Sequence, residues 1–205
     1  MVVTGQIETS QAESQILHPS SRALFRFWEA MRAERAAPHR ALLDLKQVGG
    51  LVPDLFILER DRPRHSYRWR LAGTRICELY RHELTGGDVF AGWDNFERET
   101  MRRLLDNVAG RLQPAVMRLR LHTSLGQTIG AELIALPLQP QDGTGIQVFG
   151  GLFTFRDISG LDYDAINLRE LASARVIWTE PLPGDSLISS GAGFRPFQVI
   201  RGGLG

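Results

Sequence analysis

Only one cysteine, Cys77, occurs in the chain, so it can form neither an intrachain disulfide nor a cysteine-based metal site. Charge of one sign is also missing. The 24 basic and 23 acidic residues leave a net charge of +1, which argues against nucleic acid as the main partner, because phosphate binding needs a basic excess. No apolar run approaches the ~20 residues of a transmembrane helix. The first residues, MVVTGQIETSQAESQ, lack the charged and then apolar regions of a secretory signal, so the expected location is cytoplasmic. GxSxG, HExxH, P-loop and CxxC motifs are all absent, and so is any kinase, cyclase or phosphodiesterase signature. The expectation is a binding protein, not an enzyme, whose output passes through contact with another molecule.

What is present is an ordinary globular composition, 43% apolar and 23% charged, in 205 residues, enough for one domain with extensions. Residues 1–15 are polar and aperiodic and are expected to be disordered. A helix is expected over 20–35, with Leu24, Phe27, Trp28 and Met31 as its apolar stripe and Ser20 or Ser21 as N-cap. A short helix is expected over 39–48. Leu55 to Leu58 forms an apolar run of strand length, with both faces covered. Tyr67, Trp69 and Leu71 alternate with Arg68, Arg70 and Ala72, which predicts a second strand ending at Gly73. Ile76, Leu79 and Tyr80 then mark a short helix, and Leu84-Thr85-Gly86-Gly87 turns the chain.

The clearest helix is expected over 94–111. Asp94 and Glu97 resemble a capping box, and Met101, Leu104, Leu105 and Val108 make the stripe. Three strands follow. In the first, Met117, Leu119 and Leu121 oppose Arg118, Arg120 and His122; Ser124-Leu125-Gly126-Gln127 is a hairpin turn. In the third, Phe149, Phe153 and Phe155 oppose Val148 and Leu152. Residues 167–178 are ambiguous between helix and strand, and FRPFQVI near the end reads as an edge strand or a tail.

This order, with the segments YRWRLAGT and ELTG, resembles a bacterial family of small stand-alone PAS-like proteins. The resemblance covers residues 20–160 and implies an α+β fold. It would have a five-stranded antiparallel sheet, helices on one face, and an N-terminal amphipathic capping helix. It divides the chain into a disordered terminus (1–19), the PAS-like domain (20–160) and a C-terminal extension (161–205). A pocket between helices and sheet is the usual ligand place in such folds.

Trp69, Tyr80, Phe90 and Trp93 are the candidate pocket residues, although aromatics at sheet and helix spacing are more often residues of a core. Gly86, Gly87 and Gly92 among them suggest a loop able to approach a ligand. Cys77 reads as a structural thiol, and the NCR-type motif of flavin-binding PAS domains is missing. None of the histidines His18, His39, His65, His82 and His122 pairs at i, i+4 with another ligand type; they read as surface residues, His82 beside the ELTG turn being the least implausible haem ligand. No cofactor or metal is therefore expected. The expected function is sensory or regulatory: a small, largely apolar ligand bound in the pocket, and signalling by protein contact. The alternatives are a ligand-free dimerisation module and, third, a haem or flavin sensor. A homodimer is expected through Leu24, Phe27, Trp28 and Met31, with a regulatory protein as a further partner.

Overall fold

The computed structural model describes residues 12–61, 63–139, 147–158 and 166–179. The expectations for residues 1–11 and for the tail containing FRPFQVI lie outside them. The elements run as follows: α1 (Pro19–Arg32), two 3-10 stretches (Arg40–Leu42 and Leu45–Asp54), β1 (Leu55–Asp61), β2 (Ser66–Ala72), α2 (Thr74–Tyr80), α3 (Asn95–Arg111), β3 (Ala115–Thr123), β4 (Thr128–Leu138), β5 (Gln147–Thr154) and β6 (Ile166–Val176).

All strand pairs are antiparallel, in the order β2-β1-β5-β4-β3-β6. The sheet has six strands rather than the expected five. The extra strand, β6, comes from the stretch whose composition left helix and strand open: Leu, Arg, Glu and Ala favour a helix, but pairing with the full length of β3 overrides that preference.

Alternation along each strand sorts apolar side chains into two cores. On the inner face, Phe56, Leu58, Met117, Leu119, Leu121, Val148 and Leu152 pack with α2 and with Met101, Leu105 and Val108 of α3. On the outer face, Leu55, Ile57, Val116, Ile134, Leu136, Phe149 and Phe153 pack under α1. Within α1 the buried contacts come from Leu24, Phe25 and Trp28, while Phe27 and Met31 are half-buried at its rim. The Trp28 indole Nε1 donates to the Pro137 carbonyl at 2.8 Å.

Among the described residues, the outer sheet face beneath α1 leaves no strip open to a symmetric partner. Val116, Ile134, Leu136, Phe149 and Phe153 are each at most 3% exposed within one chain. Ala12, Ile16, Ala37, Leu43 and Ile177 complete the cover that one helix stripe is too narrow to provide. The stretch expected to be disordered includes described residues that are ordered. Residues 12–14 form a helical turn and Ile16 is fully buried, because the outer sheet face offers them apolar surface. Phe155 departs from its strand partners and is about half exposed, past the end of β5.

Other boundaries differ for local reasons. Pro19 opens α1, its missing N–H being no loss at a helix start, and His18 is the N-cap, its Nδ1 accepting from the Ser20 N–H at 3.1 Å. The short helix expected over 39–48 is instead two 3-10 stretches, the second broken at Gly49 with φ 50°. In β2 the register slips opposite Ile57/Leu58, leaving Arg70 unmatched. Tyr67 and Trp69 therefore face the inner core while Leu71 turns to the outer one.

Candidate functional site

The segment after β2 lies along that strand's free edge. Trp69 N–H donates to the Gly87 carbonyl at 3.1 Å, Gly86 N–H to the Trp69 carbonyl at 2.7 Å, and Val89 N–H to the Tyr67 carbonyl at 2.9 Å. Asp88 Oδ1 tightens this run by accepting from Ser66 Oγ at 2.7 Å and from the Phe90 N–H at 2.9 Å. An edge strand is thus closed by a loop, which removes its unpaired backbone from solvent.

At the other edge of the sheet, β6 reaches the same loop. Arg169 Nη1 donates to the Ala91 carbonyl at 2.7 Å, and the Leu171 N–H donates to Glu97 Oε1 at 2.8 Å. Asp94 caps α3 as expected, its Oδ1 accepting from the Glu97 N–H at 2.9 Å. The Glu97 side chain does not complete a capping box; it crosses to β6. Residues 86–97 therefore bridge the two edges of the sheet.

Between them lies a cleft of about 350 Å³, lined by Trp69, Tyr80, Leu84, Val89 and Ile166, with Arg169, His82, Glu83 and Asp88 supplying polar groups. Arg169 is 6% exposed, and its guanidinium sits 4.5 Å over the Tyr80 ring. Gly92 makes this possible. Its φ is 77°, and a Cβ there would lie 2.2 Å from Arg169 Nη1.

The four candidate pocket aromatics separate. Trp69 and Tyr80 line the cleft. Trp93, with Trp69 and Tyr80 again, borders an interior void of only about 20 Å³ between helices and sheet. Phe90 lines neither; its ring packs edge-on against Tyr67 at 6.2 Å. The interior is filled because Phe56, Leu58, Met101, Leu105, Leu119, Leu133 and Leu152 meet there. Tyr67 O–H donates to Asp106 Oδ1 at 3.0 Å, and burial, with the Asp106 charge beside it, pushes the phenol above its ordinary range.

Cys77 is half-buried against the inner core, with Sγ 3.7 Å from Glu83 Oε1. Burial first, and the neighbouring Glu83 and Glu78 charges after it, raise its pKa. His82 Nδ1 lies 2.8 Å from the Tyr80 carbonyl, at the cleft. Arg169, Ile166 and the cross-strand role of Glu97 had no local signal. Each depends on β6 pairing with β3, a contact between distant stretches.

The sequence profile of the PAS domain matches residues 16–153. Among solved structures, the chain is similar to a Rhodobacter sphaeroides LOV protein at 14% identity, covering 58% of this chain and 71% of that one, with a TM-score of 0.40. It is similar to the PAS domain of Bordetella pertussis BvgS at 16% identity, covering 56% of this chain and 88% of that one, also with a TM-score of 0.40. No curated protein matches. The assignment rests on the profile, which spans more than half of the chain: the protein belongs to the PAS domain family, a family of sensory and signalling domains.

Proposed function

We propose that this domain senses a small, largely apolar ligand held in the cleft between β2, residues 80–92 and β6, and signals through protein contacts of α1. The supporting observation is the cleft itself, about 350 Å³ with an aromatic and aliphatic wall from Trp69, Tyr80, Leu84 and Ile166. The interior void of about 20 Å³ suits one water rather than a ligand, so the ligand place moves from the interior to the edge of the sheet. A ligand in the cleft touches both β6 and the loop that β6 is tied to. Beyond β6, Ile177 is fully buried in the outer core that also holds Leu24 and Trp28 of α1, giving the signal a packed route. The coupling is no larger than the ligand's differential affinity for the two arrangements. In this reading the cleft binds without reaction and the protein works in the cytoplasm. Among the described residues no helix is long and apolar enough to cross a membrane.

Native mass spectrometry of gently purified protein, against its denatured mass, tests this. A retained small molecule is expected, and its absence favours a second function. That second function is a ligand-free interaction module, supported by the nearly filled interior, in which the half-buried rim of α1, Phe27 and Met31, contacts a second copy or a regulatory protein. The purified protein is expected to be colourless; a Soret or flavin band of stoichiometric intensity would replace both with a pigment-bearing sensor.

A further inference from the structure

We propose that the cleft selects an organic monoanion, a carboxylate on an apolar body, and that Arg169 is its anchor. This rests on the cleft being a ligand site. Two arginines are nearly buried among the described residues, Arg32 and Arg169, and they differ in one respect. Both lie over an aromatic ring, Arg32 on Trp28 at 5.5 Å and Arg169 on Tyr80 at 4.5 Å. Arg32 also pairs with the Glu29 carboxylate at 2.8 Å. Among the described residues, no carboxylate stands within 4.0 Å of Arg169; its described polar contact is the neutral Ala91 carbonyl. A nearly buried guanidinium gains from a carboxylate partner, and its planar fork of donors matches one. Arg169 is one of the walls of the cleft, so a ligand carboxylate held there meets its guanidinium.

The other charged walls narrow the choice. Glu83 and Asp88 are engaged locally, Glu83 accepting from the Thr85 N–H at 2.9 Å and Asp88 from Ser66 and Phe90. Their charges disfavour a second acidic group on the ligand. Trp69, Leu84 and Ile166 provide apolar surface for its body.

The probes are benzoate, benzamide and benzylammonium, titrated into the full chain and followed by amide and indole NMR signals of Gly87, Gly92 and Trp69. Benzoate is expected to shift these signals and to bind about tenfold or more tighter than benzamide, as charge-assisted pairing requires. Added salt weakens benzoate selectively. Arg169→Gln is expected to remove the preference for benzoate over benzamide and the salt dependence of benzoate binding. Should that variant fail to fold, the wild-type preference for benzoate over benzamide decides by itself. Benzamide or benzylammonium binding the cleft as tightly as benzoate would overturn the anion proposal while leaving a ligand site. Silence of all three probes, with no co-purified molecule, would overturn the ligand site and the anchor together.

Discussion

Trp69 stands in two environments at once. One side of its indole meets Phe56 edge-on at 5.7 Å in the inner core, and another borders the cleft. Trp69→Ala is expected to destabilise the fold by about 3–5 kcal/mol, the range for a large buried ring. A denaturant titration showing a loss under about 1 kcal/mol would contradict its packing. Cys77 gives a residue-scale pH test. Burial and the adjacent carboxylates raise its pKa, so at pH 8 the thiolate fraction falls below that of an unperturbed cysteine. Reaction with a disulfide reagent at that pH is expected to be slower than for a free cysteine peptide. Glu83→Gln, which removes one of the charges opposing the thiolate, should speed it. Equal rates for protein and peptide would show that the thiol is not held in this setting.

At the scale of elements, two carboxylates add ties beyond the strand ladders, one to the chain before α1 and one between α3 and β6. Glu132 of β4 is fully buried and accepts from the Leu17 N–H at 3.0 Å and the His18 N–H at 2.8 Å. It thereby fixes the chain just before α1, with Arg118 Nε 3.8 Å away. Glu132→Ala leaves those donors without their acceptor and is expected to cost about 2–4 kcal/mol. Hydrogen exchange should show it first in the amides of residues 16–18, before any effect on α3. Unchanged protection there would mean that apolar packing alone holds α1. Glu97 does the corresponding work for β6 through the Leu171 N–H. Glu97→Ala should raise exchange at Leu171 while sparing the β3–β4 ladder.

For the whole molecule, α1 is a structural wall before it is a contact surface. Leu55, Ile57, Val116, Ile134, Leu136, Phe149 and Phe153 lie beneath it and its flanking segments. Deleting residues 1–35 uncovers an apolar face of a kind monomers rarely expose, and aggregation is the expected result. Light scattering over a concentration series tests this, and a truncated chain that stays dispersed would show that the outer face needs no cover. The same series on the full chain tests the proposed homodimer. One chain already buries its outer sheet, so the proposed dimer is placed on the half-buried rim of α1, and Phe27→Ser is expected to weaken it.

Much of the frame was legible before any coordinates. Side-chain alternation in β3 and β5 and the stripe of α3 are local patterns, so they sorted Leu119 from Arg118 and Phe149 from Val148 without knowledge of neighbours, whereas β1 read only as an apolar run covered on both faces. RLAGT and ELTG marked the strand and turn around which the domain closes, and Asp94 marked a helix start, because caps and turns involve residues a few positions apart. Three things waited for the tertiary structure. The register slip at Arg70 depends on what β1 offers across the ladder. The strand identity of residues 166–176 depends on the open edge of β3, about fifty positions earlier in the chain. The cleft depends on both edges of the sheet reaching one loop, so Arg169, an unremarked arginine in an ambiguous stretch, became a cleft wall, while Phe90 and Trp93 went into the core. Periodicity tells which face of an element is apolar; only the pairing of distant strands decides which side chains are left facing a space large enough to bind something.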